Sequence, residues 1–392
     1  MSYVVLIAIL IFGISLFERM GSKKKKPPLS AMDRNPDSRT TGVLHSNSES
    51  RPETVPPHWT FSCIGFKNNF VKDLVSNSRI IYCIADSENG EANLYSSKDL
   101  GMKWEKMTVP LIKYLWKLHL FQNGTLLLFL SQLQEKGKKC LVYDERNNAW
   151  NPAGKGLPVD HFFMIADSFI DDHDRLFIKM MVEGQERQSL VWSKDYGRTF
   201  DPVVEELTAY FVTYDVPSLA PEYRGKHQLL YSTNHLDRGT STGGHLHIID
   251  IDKRRQQPVV IPFEEMRGNQ SFSVLTDRHR TGVLYVTGDS TNFIYESTDF
   301  AKTWRRLPLL PFPENARYVT FWGYRDPEPD LPLLSVEESD RSLLTFWNVK
   351  ESRLFPAGSM PEGCLIRSIQ SVSGGRVILA TTKGVFRGDI LK

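Results

Sequence analysis

The chain has 392 residues, of which 41% are hydrophobic and 24% charged, a composition large and apolar enough for one big globular domain or two modest ones. Its 48 lysines and arginines against 46 aspartates and glutamates leave a formal charge of +2, which disfavours nucleic acid as a partner. The four cysteines (Cys63, Cys83, Cys140, Cys364) are widely spaced without a CxxC pair, so a zinc ribbon and a disulfide-dense scaffold are both excluded and buried free thiols are expected.

Residues 3–17 (YVVLIAILIFGISLF) form an uninterrupted apolar run followed by Glu18, Arg19 and then Lys23 to Lys26. A removable secretory signal carries its positive charge before the apolar stretch; here the charge comes after it, and residues 1–20 read as an uncleaved single-pass membrane anchor. The four lysines favour a cytoplasmic location for the rest of the chain, whereas the sequons Asn123-Gly124-Thr125 and Asn269-Gln270-Ser271 favour an extracytoplasmic one, so the sequence leaves the side open. Residues 21–57 are rich in Pro, Ser and charge, cannot bury a core, and read as a flexible linker.

From His58 to the end the texture changes to short β-branched and aromatic runs bounded by Gly, Asp, Asn and Pro, such as "RIIYCIA" (79–85), "TLLLFLS" (125–131), "RLFIKMMV" (175–182) and "RVILATT" (376–382). This is the strand signature, and no amphipathic helix interrupts it, so residues 58–392 are expected to form an all-β domain. Three octapeptides punctuate it: "SKDLGMKW" (97–104), "SKDYGRTF" (193–200) and "STDFAKTW" (297–304). In each a strand end runs into Ser, an Asp two residues on, a small residue and a closing aromatic, which reads as a self-contained hairpin turn with the Asp accepting backbone N–H groups.

The aspartates lie 96 and 104 residues apart, and weaker hairpins fall halfway between them. With Asp99, Asp144, Asp195, Asp250, Asp299 and Asn348 as markers the steps are 45, 51, 55, 49 and 49 residues, each holding four strand-like runs. After the sixth marker only three runs remain, and "HWTFSCIG" (58–65) supplies the missing fourth. A seven-bladed β-propeller closed by its N-terminal strand is therefore expected, with six blades as the fallback.

The octapeptides resemble the Asp-boxes, or BNR repeats, of the sialidase-like and sortilin-like propellers, with the pattern S/T-x-D-x-G-x-T/S-W/F; the second copy matches in full, the first departs at Lys103 and the third at Ala301. The resemblance implies that Ser97, Asp99, Gly101, Trp104, Ser193, Asp195, Gly197, Phe200, Ser297, Asp299 and Trp304 are structural residues on the outer rim. It also raises a sialidase-like exo-glycosidase reading, which needs three arginines on a substrate carboxylate, a Tyr nucleophile beside a Glu, and an Asp acid. Tyr214, Glu222 and Asp215 would serve as the catalytic set, and Arg224, Arg278, Arg317, Arg325 and Arg367 as the anion-binding set. The Arg-Ile-Pro landmark usual before the first box is missing, the nearest text being Ser78-Arg79-Ile80-Ile81, and sialidases resemble six-bladed rings.

The first expectation is therefore a membrane-tethered platform holding a protein or glycan ligand at a propeller face, and the glycosidase is the alternative. No cofactor is implied. His245 and His247 alternate on one strand with His235 close by, but without a clear third ligand they read as exposed strand positions and no metal site is expected. "DDHDR" (171–175), "DRHR" (277–280) and "DPEPD" (326–330) read as charged turns.

Overall fold

The computed structural model describes residues 58–390 except 88–89, 111–114, 131–139, 159–162, 172, 183–187, 208–218, 221–227, 238–239, 263–271, 278, 281, 289–292, 309, 311, 314–315, 317 and 326–327. The expected anchor and linker lie outside these residues, and among the described residues no helix is long and apolar enough to cross a membrane.

The domain is an all-β propeller made of antiparallel four-stranded sheets, seven of them among the described residues. Strand β1 (Trp59–Gly65) comes first in the chain but belongs to the last sheet. The first sheet runs β2 (Val71–Ser76), β3 (Ile81–Asp86), β4 (Ala92–Ser97), β5 (Glu105–Lys106), and the second β6 (Leu115–Leu120), β7 (Leu126–Leu130), β8 (Cys140–Asp144), β9 (Ala149–Ala153). The third runs β10 (Phe163–Ile170), β11 (Leu176–Val182), β12 (Gln188–Ser193), β13 (Asp201–Leu207), and the fourth β14 (Leu219–Ala220), β15 (Gln228–Asp237), β16 (Thr240–Asp250), β17 (Arg255–Val259). The fifth holds β18 (Phe272–Thr276), β19 (Leu284–Gly288), β20 (Tyr295–Ser297) and β21 (Arg305–Arg306); the sixth holds β22 (Tyr318–Arg325), β23 (Glu328–Glu337), β24 (Ser342–Asn348) and β25 (Arg353–Ser359). The seventh is β26 (Ile366–Val372), β27 (Arg376–Thr381) and β28 (Gly384–Ile390), completed by β1 pairing antiparallel with β28 from Trp59 opposite Ile390 to Gly65 opposite Val385.

The meander follows from sequence: each apolar run is too short for more than one strand, and turn formers at four to ten residues force the reversal. Each sheet is apolar on both sides because it is sandwiched between neighbours. Thus β3 reads Ile-Tyr-Cys-Ile-Ala with all five residues buried, and β7 is Leu-Leu-Leu-Phe-Leu, also fully buried. Leu127, Phe129, Cys140 and Val142 of the second sheet meet Ile165, Leu176, Ile178 and Met180 of the third in one cluster.

The first strands of the sheets lie innermost, and polar side chains pin one to the next. Asp73 on β2 accepts the Leu118 N–H of β6 at 2.8 Å and pairs with Lys117 Nζ at 3.3 Å. Ser273 on β18 accepts the Phe321 N–H of β22 at 2.9 Å, and Ser368 on β26 donates to the Leu74 carbonyl of β2 at 3.3 Å. A buried main-chain N–H left unpaired would cost about 1–3 kcal/mol, so each pin both satisfies and registers a seam between sheets.

Closure of the ring rests on Trp59. It is 1% exposed, packs on Phe346 of the sixth sheet at 5.2 Å between ring centroids, and donates its Nε1–H to the Gly375 carbonyl at 3.0 Å. Cys83, Cys140 and Cys364 are buried free thiols as expected, but Cys63 is exposed: it sits on β1, an outermost strand that no further strand covers within its sheet. Burial pushes the Cys140 thiol up to about 12.

His119 on β6 lies in the seam between the second and third sheets, edge-on to Phe129 at 5.8 Å, and its Nε2 finds no hydrogen-bond partner among the described residues. Burial, with Lys117 nearby, lowers its pKa to about 3. The native state therefore stays unprotonated while the unfolded chain takes up a proton below about pH 6.5, so this group destabilises the fold as pH falls from about 6.5 toward 3. Urea unfolding at pH 6.5 and 4.5 is expected to show His119→Leu losing about 2 kcal/mol less stability than the parent over that interval; equal losses contradict the assignment.

Candidate functional site

The three octapeptides fold alike. Ser97 Oγ donates to Asp99 Oδ1 at 2.9 Å and accepts the Gly101 N–H at 2.8 Å, while Asp99 Oδ1 also accepts the Lys103 N–H at 2.9 Å. Ser193, Asp195 and Gly197 repeat this at 2.9 and 2.8 Å, and Thr199 adds both its N–H (2.8 Å) and its hydroxyl (2.7 Å) to Asp195. Ser297, Asp299 and Ala301 do the same, with Thr303 donating its N–H at 2.9 Å and its hydroxyl at 2.6 Å. Donors directed at the carboxylates favour their ionised form: the Thr303 hydroxyl and N–H bring Asp299 to about 2, the Lys103 N–H lowers Asp99, and Asp195 is lowered in spite of its partial burial by Thr199 and Ser193. Lys103 cannot supply the hydroxyl that threonine gives the other two.

The weaker hairpins use the same logic with fewer bonds. Asp144 accepts the Arg146 N–H, Asp250 the Lys253 N–H, and Asn348 the Lys350 N–H, each at 3.0–3.1 Å.

The octapeptides do not stand alone as turns, however. Their closing aromatics pack on the preceding sheet: Trp104 donates its Nε1–H to the Ile64 carbonyl at 3.0 Å and meets Phe66 edge-on at 5.2 Å. Phe200 lies in the cluster of the second and third sheets, its N–H donating to the Lys155 carbonyl at 2.8 Å, and Trp304 packs in a cluster with Val259 and Ile261 that come after the fourth sheet's β16. A Cβ at Gly101 would run into Ile64, and one at Gly197 into Leu127. Both glycines also have positive φ, 86° and 82°. Each octapeptide is therefore a clamp between adjacent sheets, and its glycine answers to backbone angle and to clearance at once.

Ala301 occupies the third glycine position at φ 63°, where an L side chain is strained. Ala301→Gly is expected to stabilise the fold by about 1 kcal/mol, and Gly197→Ala to destabilise it by more than that, both read as shifts of the urea midpoint. Unchanged midpoints would contradict the clamp.

Near the start of four innermost strands, and midway along β22, another device recurs. The pairing register slips by one residue in β2 between Val71 and Asp73, in β6 between Leu115 and Lys117, in β10 between Ile165 and Asp167, in β22 between Phe321 and Gly323, and in β26 between Ile366 and Ser368. The residues set aside by these bulges are Lys72, Trp116, Ala166, Trp322 and Arg367. A bulge leaves the extra residue's main-chain groups outside the ladder and re-aims its side chain. Around this mouth Lys72 pairs with Asp86 at 3.0 Å and Arg367 lies over the Phe70 ring at 5.6 Å, whereas Trp322, midway along β22, packs between the sixth and seventh sheets and donates its Nε1–H to Ser335 Oγ at 2.8 Å.

Of the anion-binding set read from sequence, Arg367 is thus at the mouth, whereas Arg325 closes β22 at the opposite end of an innermost strand, opposite Glu328. Arg278, Arg317, Arg224, Tyr214, Asp215 and Glu222 lie outside the described residues. His247 is buried, not exposed, because β16 is flanked by β15 and β17 within a sheet that other sheets cover; among the described residues no cluster of His, Cys, Asp and Glu could hold a metal. The "DDHDR" turn is closed by Asp171, which accepts the His173 and Arg175 N–H groups and pairs with the Arg175 guanidinium at 2.6 Å.

Sequence reasoning missed a polar cluster in the fifth sheet. Glu296 on β20 is 1% exposed and pairs with Arg305 and with Arg280 (3.5 Å); the Tyr285 hydroxyl lies 3.3 Å from both Glu296 and Asp277, and Arg280 also holds Asp277 at 2.8 Å. It brings together a tyrosine, two carboxylates and two arginines, the residue types of the glycosidase reading, but on the second to fourth strands of a sheet and the turn between its first two. Tyr285 is fully buried against Trp347 (4.9 Å), so its oxygen has no approach for a substrate carbon. A Tyr on one strand facing a Glu on the next across one pleat was the available signal.

No protein-family model and no curated protein sequence matches the chain. Among solved structures, a streptogramin B lyase aligns over 85% of this chain and 98% of its own at 10% identity and a TM-score of 0.56. YCF48 bound to a D1 peptide aligns over 86% of this chain and 98% of its own at 13% identity and a TM-score of 0.54. A puromycin-hydrolysing peptidase of Mycobacterium tuberculosis aligns over 86% of this chain and 56% of its own at 14% identity and a TM-score of 0.57. At these identities the likeness is one of fold, and it makes the chain similar to β-propeller proteins.

Proposed function

We propose that this protein is a membrane-tethered propeller that holds a protein or peptide at the mouth formed by the start of its innermost strands. In this reading the seven sheets are seven blades about one axis, the octapeptides are Asp-boxes with an architectural role, and residues 3–17 anchor the chain through the 21–57 linker. The observation that carries it is the recurrent bulge at Lys72, Trp116, Ala166 and Arg367. Main-chain donors and acceptors freed from a ladder suit an extended peptide, whose own backbone is a repeating donor and acceptor. The likeness in fold to YCF48 bound to a D1 peptide is consistent with this use of a propeller. On the enzyme reading, the Tyr214, Asp215, Glu222 and Arg224 set is the one to test, since the described Tyr285–Glu296 pair is enclosed.

A photo-crosslinking residue placed at Lys72 or at Arg367 of the full chain is expected to trap the same discrete adduct in membranes, and one placed at exposed Ser62 on β1 none. Adducts of equal yield at all three positions would contradict a mouth-bound partner. In parallel, hydrolysis of a fluorogenic sialoside panel that is lost in Tyr214→Phe would replace the binding reading with the glycosidase.

A further inference from the structure

The turns between third and fourth strands share one end of the ring with the turns between first and second strands. Neighbouring turns touch there: the Gln122 N–H donates to Asp174 at 3.0 Å, Phe121 meets Tyr196 edge-on at 5.3 Å, and the Phe300 N–H donates to the Gly282 carbonyl at 3.0 Å. The chain also enters the domain at this end, because β1 starts with Trp59 opposite Ile390 and bonded to Gly375 in the turn before β27.

The charge of the turns between third and fourth strands is not that of the whole. The six turn segments 97–106, 144–149, 193–201, 250–255, 297–306 and 348–353 hold fourteen lysines and arginines against ten carboxylates, so that the rest of a chain of net charge +2 is slightly acidic. Five of the ten carboxylates, Asp99, Asp144, Asp195, Asp250 and Asp299, accept main-chain N–H groups of their own turns. Each of the six turns displays an exposed base: Lys103, Arg146, Arg198, Arg254, Lys302 and Lys350, Lys253 being paired with Asp250 at 3.0 Å. Lys194, also exposed, lies over the Trp192 face at 3.8 Å, which leaves its charge in place.

We propose that this end of the ring docks on an anionic bilayer surface, phospholipid headgroups meeting a basic residue from each of the six turns. The inference rests on the membrane-anchor reading for the source of the bilayer: a tether entering the domain at its basic end holds that end at high local concentration beside the headgroups. Bases distributed around a ring, one per turn, match a laterally continuous negative plane better than a narrow acidic peptide, which would meet only two or three of them. Attraction of this kind is additive over basic residues and decays within about 8 Å at physiological salt, so it demands close approach and weakens with salt. Docking this end also turns the opposite end, with the bulged mouth, away from the bilayer.

The full chain reconstituted into nanodiscs of phosphatidylcholine alone, or with about 30% phosphatidylglycerol, provides the test. Hydrogen exchange of segments 97–106, 193–201 and 297–306 is expected to slow roughly tenfold in the anionic discs only, and to lose that protection in about 0.5 M salt or in the variant Lys103→Glu/Arg198→Glu/Lys302→Glu/Lys350→Glu. Equal exchange in both lipids overturns the proposal. Incorporation into neutral discs reads the anchor separately; if the chain fails to insert, sedimentation with externally added phosphatidylglycerol vesicles, but not with neutral ones, still supports docking, and sedimentation with neither overturns it. Should the variant not fold, the salt titration of the parent chain decides. Retention on duplex DNA or polyglutamate columns as strong as on anionic vesicles would assign the basic end to a different partner and overturn the proposal as well.

Discussion

The pairing of β1 with β28 is the constraint on which the rest of the structure depends. A meander of radial sheets has two loose ends, and until the last sheet acquires its fourth strand both neighbours of the gap face water. β1 comes from the far end of the chain, so Thr60 bonds to Asp389 across 329 positions, and Trp59 seats itself in the sixth and seventh sheets. The entropy of closing so long a loop grows only with the logarithm of its length, whereas the buried surface at two seams grows with every residue paired. Closure of this kind covers the edge of β28 and makes the seams mutually dependent.

What remains is to hold adjacent sheets in register, and the chain does so at two radii. Near the axis single side chains such as Asp73, Ser273 and Ser368 supply hydrogen bonds that no ladder can reach across a seam. At the periphery the octapeptides clamp one sheet on the next through Trp104, Phe200 and Trp304. Their aspartates are engaged by donors of their own turns although they are charged and lie near the surface. The two surfaces proposed for recognition lie elsewhere, at the mouth, where bulges open the backbone, and at the end with the basic turns.

Much of this was legible in the sequence. The fifty-residue period, the four strands in each period and the completion of the last sheet by residues 58–65 follow from turn formers and apolar runs, because strand pairing in a meander is local. The inter-sheet role of Trp104 was not legible, since its partners Ile64 and Phe66 are some forty residues earlier and nothing local marks them. The bulges were invisible because a slip of one residue leaves the apolar pattern almost unchanged. Of the cluster of Asp277, Arg280, Tyr285, Glu296 and Arg305 the sequence showed only a charged turn at 277–280 until three strands laid the rest beside it, and burial of His247 depended on sheets that share no sequence proximity with it.

Native-state hydrogen exchange of the full chain tests ring closure most directly. If β1 is the fourth strand of the last sheet, the amides of Phe61 and Cys63 exchange on the same slow timescale as those of β27. Exchange of β1 within seconds while β27 stays protected would mean that the ring stands without it, and the account built on closure would fail.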